Sequence, residues 1–183
     1  MQSNIQNAKQ YLQWIDETVR LDAISAHSSK RKVFRGQVYW CHFGINIGSE
    51  QSEKRPCVIV QNDKGNLSSP NTIVAPITHS KHKLPTVVAI ADKFDAMGSI
   101  ILDGNVLLGN IITISKARLG DYITDLTVDE MRLVNEAVAK STDIYFLLAR
   151  YEKKIKGLNT HIENLMNTMK EKDDMILHLR DHS

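Results

Sequence analysis

Cysteine is scarce in this 183-residue chain: Cys41 and Cys57 are the only two, with no paired C-x-x-C spacing. They are expected to be reduced strand residues rather than a disulfide or a metal site. Long apolar runs are missing as well. None approaches the roughly 18–20 residues of a membrane span, and the opening "MQSNIQNAKQYLQWIDETVR" has no apolar centre of the signal-peptide kind. The expectation is a cytoplasmic protein. A dominant charge is also lacking. The formal net charge of +2 is too small to announce a nucleic-acid partner, although a local basic groove can sit on a near-neutral chain. There is no G-x-x-x-x-G-K-[ST] phosphate loop, no H-E-x-x-H, no G-x-G-x-x-G after a strand and no G-x-S-x-G elbow. His79 and His82 in "THSKHK" stand three apart between lysines with no further ligands close by, which reads as a basic patch. Neither a metal nor a cofactor is expected.

What is present divides the chain into three. A hydrophobic fraction of 42% and a charged fraction of 24% suit one soluble domain with appendages. Residues 1–32 form the first segment. Ile5, Ala8, Leu12, Ile15 and Val19 recur at spacings of three and four, one face of a helix, with Trp14 and Leu21 flanking it. "HSSKRK" then reads as a solvated basic linker. Residues 33–126 form the second, with the short strand-like runs "QVYWCHF", "CVIVQ", "NTIVAPIT", "TVVAI", "SII", "NVLL" and "NIITI". The continuous apolar "CVIVQ" predicts a strand buried on both faces. "NDKGNLSSPN", "KHKLP" and "LDGN" read as turns, and "SKARLG" as one helical turn capped by Ser115 and ended by Gly120. Half a dozen short strands in under a hundred residues predict a small barrel or sandwich.

The third segment, 127–183, opens on the capping box "TVDE" and continues as helix. From Ile144 through Leu148, Tyr151, Ile155, Leu158, Ile162, Leu165, Met169, Ile176 and Leu179 the apolar positions alternate by four and three, interrupted only at Lys172. About five heptads predict one long coiled-coil helix of some 50 residues, an assembly device. Its apolar stripe needs a partner, either the same helix of a second subunit or the N-terminal helix.

Within the barrel-like segment, Arg55 precedes one strand and Thr78 ends the next. A planar guanidinium fork beside a hydroxyl suits phosphoryl chemistry. Taken alone, an arginine at a loop end is more often a solvated charge. The order of motifs adds weight: "RGQVYWCHF", "IGSEQSEKRPCVIVQND", "GNLSSPNTIVAPIT", "KLPTVVAI" and "NVLLGNIITISKARLGDYITDLT" together resemble the MazF/PemK family of toxin endoribonucleases over about Phe34 to Leu126.

That resemblance implies a mainly β, small SH3-like barrel (α+β overall) working as a homodimer. It implies metal-independent cleavage of single-stranded RNA to 2′,3′-cyclic phosphate and 5′-OH ends, and a cognate antitoxin protein as partner. Matched by motif, Arg55 stabilises the phosphorane and Thr78 holds the phosphate. Arginine is a poor base, so Glu50 is the candidate base on pKa grounds. Ser49, Gln51, His79 and Lys81 are candidate RNA contacts, His79 also a candidate acid. The chain departs from the family pattern at Ser52 and Glu53, where small residues are usual, at Gln37 and at Ile112, the place of a frequent cation. The competing expectation is a non-enzymatic, protein-binding barrel, gyrase-poison-like or catalytically silent, assembled by its coiled coil.

Overall fold

The computed structural model describes residues 2–79 and 84–180, with the backbone alone for residues 2–7 and 178. It divides into two compact units, Met1–Ser141 and Thr142–Ser183.

The first unit begins with helix α1 (Gln2–Ala23) and the single turn α2 (Ser25–Ser28). Strands β1 (Gln37–His42) and β2 (Lys54–Ile59), the short helix α3 (Asp63–Ser68), and strands β3 (Asn71–Thr78), β4 (Val87–Phe94), β5 (Ile100–Leu107), β6 (Ile112–Ser115) and β7 (Leu119–Asp125) follow. Helix α4 (Val128–Ser141) closes the unit. The sheet is antiparallel, in the order β4-β5-β3-β2-β1-β7, with β6 pairing β3 off that path. β3 pairs β6 along its first half and β5 only through Ile77 and Thr78, so the sheet changes partners along this strand and curls into a half-barrel.

Alternation along β2 builds a core on each side. Val58 and Val60 join Val38, Ile77, Val106 and Leu126 in one cluster that includes Val134 and Ala137 of α4. Cys57 and Ile59 join Tyr39, Cys41, Phe43, Val74 and Leu119 in the other. The run "CVIV" is therefore buried on both faces in a strand paired to β1 and β3. α4 is seated by the expected capping box: Thr127 N–H donates to Glu130 Oε2 (2.7 Å) and Glu130 N–H to Thr127 Oγ1 (3.2 Å). Glu130 also accepts from Lys93 Nζ (2.7 Å) and Ala91 N–H (3.0 Å) of β4, pinning the helix start to the sheet.

Several expectations are corrected. "LDGN" is not a turn: it lies inside β5, because Gly104 at φ +111° lets the strand pass against the end of β3 instead of reversing. "SKARLG" is a 3₁₀ turn over Lys116–Arg118 capped by Ser115, but Gly120 belongs to β7, a strand whose mixed polarity hid it. "NDKGNLSSPN" contains α3, capped by Asn62, whose side chain accepts from Gly65 N–H (2.8 Å). The basic linker is not simply solvated. Arg31 donates to the carbonyls of Leu119 (2.6 Å) and Gly120 (2.7 Å) and lies 4.7 Å over the Tyr39 ring. The face of α1 that packs is another surprise. Leu12, Ile15 and Val19 are exposed, while Trp14, Glu17 and Leu21 turn towards the barrel.

The helical tail is not continuous. It breaks between Ser141 and Ile144, where Asp143 takes φ +60°, a conformation that ends a helix. The second unit is helix α5 (Ile144–Arg180), 37 residues and about 55 Å long. Its apolar heptad positions from Ile144 to Leu179 are 48–64% exposed.

Candidate active site

Cys57 of β2 lies opposite Pro76 of β3 and Val58 opposite Ala75. The ladder ends at Cys57 and Pro76: Arg55 stands two residues before Cys57 at the start of β2, and Thr78 two residues after Pro76 at the end of β3, where it pairs Asn105 of β5. Arg55 and Thr78 line one cavity of about 310 Å³ together with Trp40, Lys54, His79 and Asp103. Pro56, across from Trp40, sets the φ of the residue after Arg55, and the buried strand beyond holds that point.

The Arg55 guanidinium is oriented by the β1–β2 loop. Its Nε donates to the Ser52 carbonyl (2.8 Å) and Nη1 to Gln51 Oε1 (2.5 Å). These bonds use two of five donors and fix the plane of the fork. The loop is itself tied: Asn46 Nδ2 donates to the Gln51 carbonyl (2.7 Å) and Asn46 N–H to Ser52 Oγ (3.2 Å). Behind Arg55, burial pushes the Cys57 thiol well above its ordinary pKa, with the neighbouring Cys41 adding to the rise. It stays a protonated core residue and no nucleophile.

On the far side, His79 Nε2 lies 2.7 Å from Asp103 Oδ1 at the cavity rim, where the imidazole is largely exposed. Gly104 determines how closely β5 meets β3. A β-carbon there would stand 2.6 Å from the Thr78 carbonyl oxygen, so the end of β3 keeps its place only beside a glycine.

The remaining sequence candidates lie elsewhere. Glu50 borders a separate cavity of about 240 Å³ with Gln51, Asn110 and Ile112, and its Oε2 accepts from Ile47 N–H at 3.2 Å. Gln51 spans both places, since its side chain meets Arg55. Ser49 is exposed in the loop. Lys81, with His82, lies outside the described residues. Among the described residues, no three His, Cys, Asp or Glu side chains gather as a metal site.

Sequence reasoning missed Trp40, Lys54, Asp103 and Gly104. Trp40, 36% exposed between buried Tyr39 and Cys41, alternates out of the core into the cavity, with Lys54 Nζ 5.8 Å from its ring centroid. The signal was that alternation. Asp103 and Gly104 were hidden by reading "LDGN" as a turn.

The fold is a curled antiparallel half-barrel with helices, with Arg55 and Thr78 on one of its cavities. The family of PemK-like, MazF-like toxins of type II toxin–antitoxin systems matches residues 34–142, more than half of the chain, and the chain belongs to it. It is 44% identical over 108 residues to the endoribonuclease EndoA of Bacillus subtilis, covering 58% of this chain and 90% of that protein. A mycobacterial endoribonuclease, solved in complex with its cognate antitoxin, superposes with a TM-score of 0.51 at 30% identity, over 61% of this chain and 95% of that one. MazF from Deinococcus radiodurans shares the fold, with a TM-score of 0.51 at 18% identity, over 60% and 96% of the two chains. α1 and α5 lie outside the matched residues.

Proposed function

We propose that this chain is the toxin of a toxin–antitoxin pair and cleaves single-stranded RNA without a metal ion. The ribose 2′-OH attacks the adjacent phosphorus, the P–O5′ bond breaks, and 2′,3′-cyclic phosphate and 5′-OH ends result. The observation that supports this reading is that Arg55, at the start of β2, and Thr78, at the end of β3, line one cavity. Arg55 stabilises the charge of the phosphorane, commonly the largest catalytic term. Thr78 holds a phosphate oxygen. Glu50 receives the 2′-OH proton, His79 supplies a proton to the departing 5′ oxygen, and Ser49, Gln51, His79 and Lys81 contact the RNA. For Glu50 to act, the β1–β2 loop must bring it from its own cavity towards Arg55.

The curled sheet is read as the family's SH3-like barrel, extended by an N-terminal segment (1–32) and a C-terminal one (127–183). The partners are the RNA, a small cognate antitoxin and a second copy of the chain, paired through the barrel and through α5 as a coiled coil. The compartment is the cytoplasm.

A second reading, a catalytically silent protein-binding barrel, is favoured by Ile112. It is exposed beside Gln51 where a cation would grip RNA.

The test incubates purified protein with single-stranded RNA in EDTA, beside Arg55→Ala and Thr78→Ala. Arg55→Ala should lower kcat about 100- to 1000-fold, the loss measured when one charge-stabilising donor is removed. Thr78→Ala should cost about 10- to 100-fold, the equivalent of a hydrogen bond to a charged group. Products should carry cyclic-phosphate ends. RNA left intact by the native chain across varied sequence contexts sinks the reading in favour of the silent barrel.

A further inference from the structure

The β1–β2 loop that orients Arg55 is held at its root by a helix outside the family's matched residues. The Trp14 indole of α1 occupies the space that a β-carbon on Gly44 would need, and Gly44 stands at φ +88°, so glycine is required there twice over. Arg118 packs on the same indole, its guanidinium carbon 5.2 Å from the ring centroid. The Nη1 of Arg118 donates to the carbonyls of His42 (3.1 Å) and Phe43 (3.0 Å). One turn along α1, Glu17 Oε1 lies 3.2 Å from His42 Nδ1. Three side chains therefore converge on residues 42–44.

From that root the connection to Arg55 is short. Glu53 N–H donates to the Gly44 carbonyl (2.6 Å) and Phe43 N–H to the Glu53 carbonyl (2.9 Å), closing the loop with a two-bond clasp. Glu53 sits at φ +67°, a left-handed conformation that residues with a β-carbon resist. Such a residue persists only where its surroundings over-determine it. The next two residues back, Ser52 and Gln51, accept the two hydrogen bonds from Arg55. Glu53 thus holds a left-handed position that suits glycine, and its N–H is bonded to Gly44, the residue on which Trp14 of α1 packs.

We infer that Trp14 and Arg118 are positioning residues. They brace the loop root so that the strained Glu53 clasp holds, and with it the plane in which Arg55 meets the RNA phosphate. This rests on the reading of Arg55 given above.

The test uses the full chain with Trp14→Ala, Trp14→Phe, Glu53→Gly and the double variant Trp14→Ala/Glu53→Gly. It measures kcat and KM on a single-stranded RNA oligonucleotide, and amide hydrogen exchange at residues 43–53 against β3. Trp14→Ala should lower kcat about tenfold or more, as a misplaced catalytic group does, with a smaller change in KM. Exchange at Phe43 and Glu53 should quicken about tenfold with β3 still protected, since only the loop opens. Trp14→Phe, which keeps a ring in contact with Gly44 and Arg118, should recover most of the rate. Glu53→Gly should rescue Trp14→Ala, because glycine holds the left-handed conformation unaided.

Unchanged kcat and KM in Trp14→Ala overturn the inference, as does faster exchange spread evenly over loop and barrel. A native chain that leaves RNA intact defeats the functional reading alone. Loop exchange then decides the brace: quickened exchange confined to 43–53 supports it, and unchanged exchange overturns it.

Discussion

Replacing Glu130 by alanine tests how the fold seats α4 on the sheet. The side chain makes three contacts: Thr127 N–H of the capping box, Ala91 N–H and Lys93 Nζ. Glu130 and Lys93 are only 10% and 15% exposed as side chains, so water replaces little of what is lost. Losing an N-terminal cap costs about 1 kcal/mol, and stranding one partner of a buried ion pair costs about 3–5 kcal/mol. Lys93 can still extend its ammonium to solvent, which brings the ion-pair loss down to about 2 kcal/mol and the sum to about 3 kcal/mol. With an m-value of about 2 kcal/mol per molar urea, the midpoint should fall by about 1.5 M.

The assay is urea unfolding followed by Trp14 and Trp40 fluorescence at fixed protein concentration. Glu130→Gln, which keeps an acceptor, should lose less than half as much. pH supplies a second arm. Burial alone would raise the Glu130 pKa, but the hydrogen bonds from Lys93, Thr127 and Ala91 outweigh it and hold the group below its ordinary 4.5. A carboxylate depressed on folding stabilises fully above its unfolded pKa, and that stability disappears as pH falls through the folded value. The native chain should therefore weaken below about pH 4.5, and the gap between it and Glu130→Ala should narrow there. A midpoint shift under about 0.3 M, or a gap independent of pH, refutes the reasoning.

Gly104→Ala should destabilise by about 2 kcal/mol, because it combines a positive φ with a clash against the Thr78 carbonyl. It should also lower RNA cleavage by displacing Thr78, and a neutral result in both assays removes Gly104 from the site. Removing the residues after Arg150 should reduce the mass seen in sedimentation by more than the deleted peptide, since the apolar heptad positions of α5 are about half exposed. An unaltered subunit number rejects the coiled coil.

Much of the fold was legible because its signals are local. The run "CVIV" needs only its own composition to announce a central strand, and "TVDE" only four residues to announce a cap. Glycine misled in both places where it was taken as a stop. Gly104 serves a close approach between strands and Gly120 lies inside a strand, and neither purpose can be seen without the neighbouring strand. The exposed stripe of α1 shows the same limit. Periodicity found the helix, but Trp14, the residue set beside the stripe, is the one that packs.

At the site the division is similar. Motif order singled out Arg55 and Thr78, and the fold puts both on the lining of one cavity. Glu50 was chosen for its acidity, a property of the residue; its place on another cavity is a property of the loop.

The sequence by itself determined the strand-rich centre, the two flanking helices, the capping box, the heptad stripe and the pair of chemically apt side chains. All of these follow from spacing and residue type along the chain. Only the tertiary structure decided that Asp103 stands beside His79, that Gly104 presses on Thr78, and that Trp14 supports the loop holding Arg55. Those contacts join residues far apart in the chain, and which of them form depends on register and on backbone conformation at single residues.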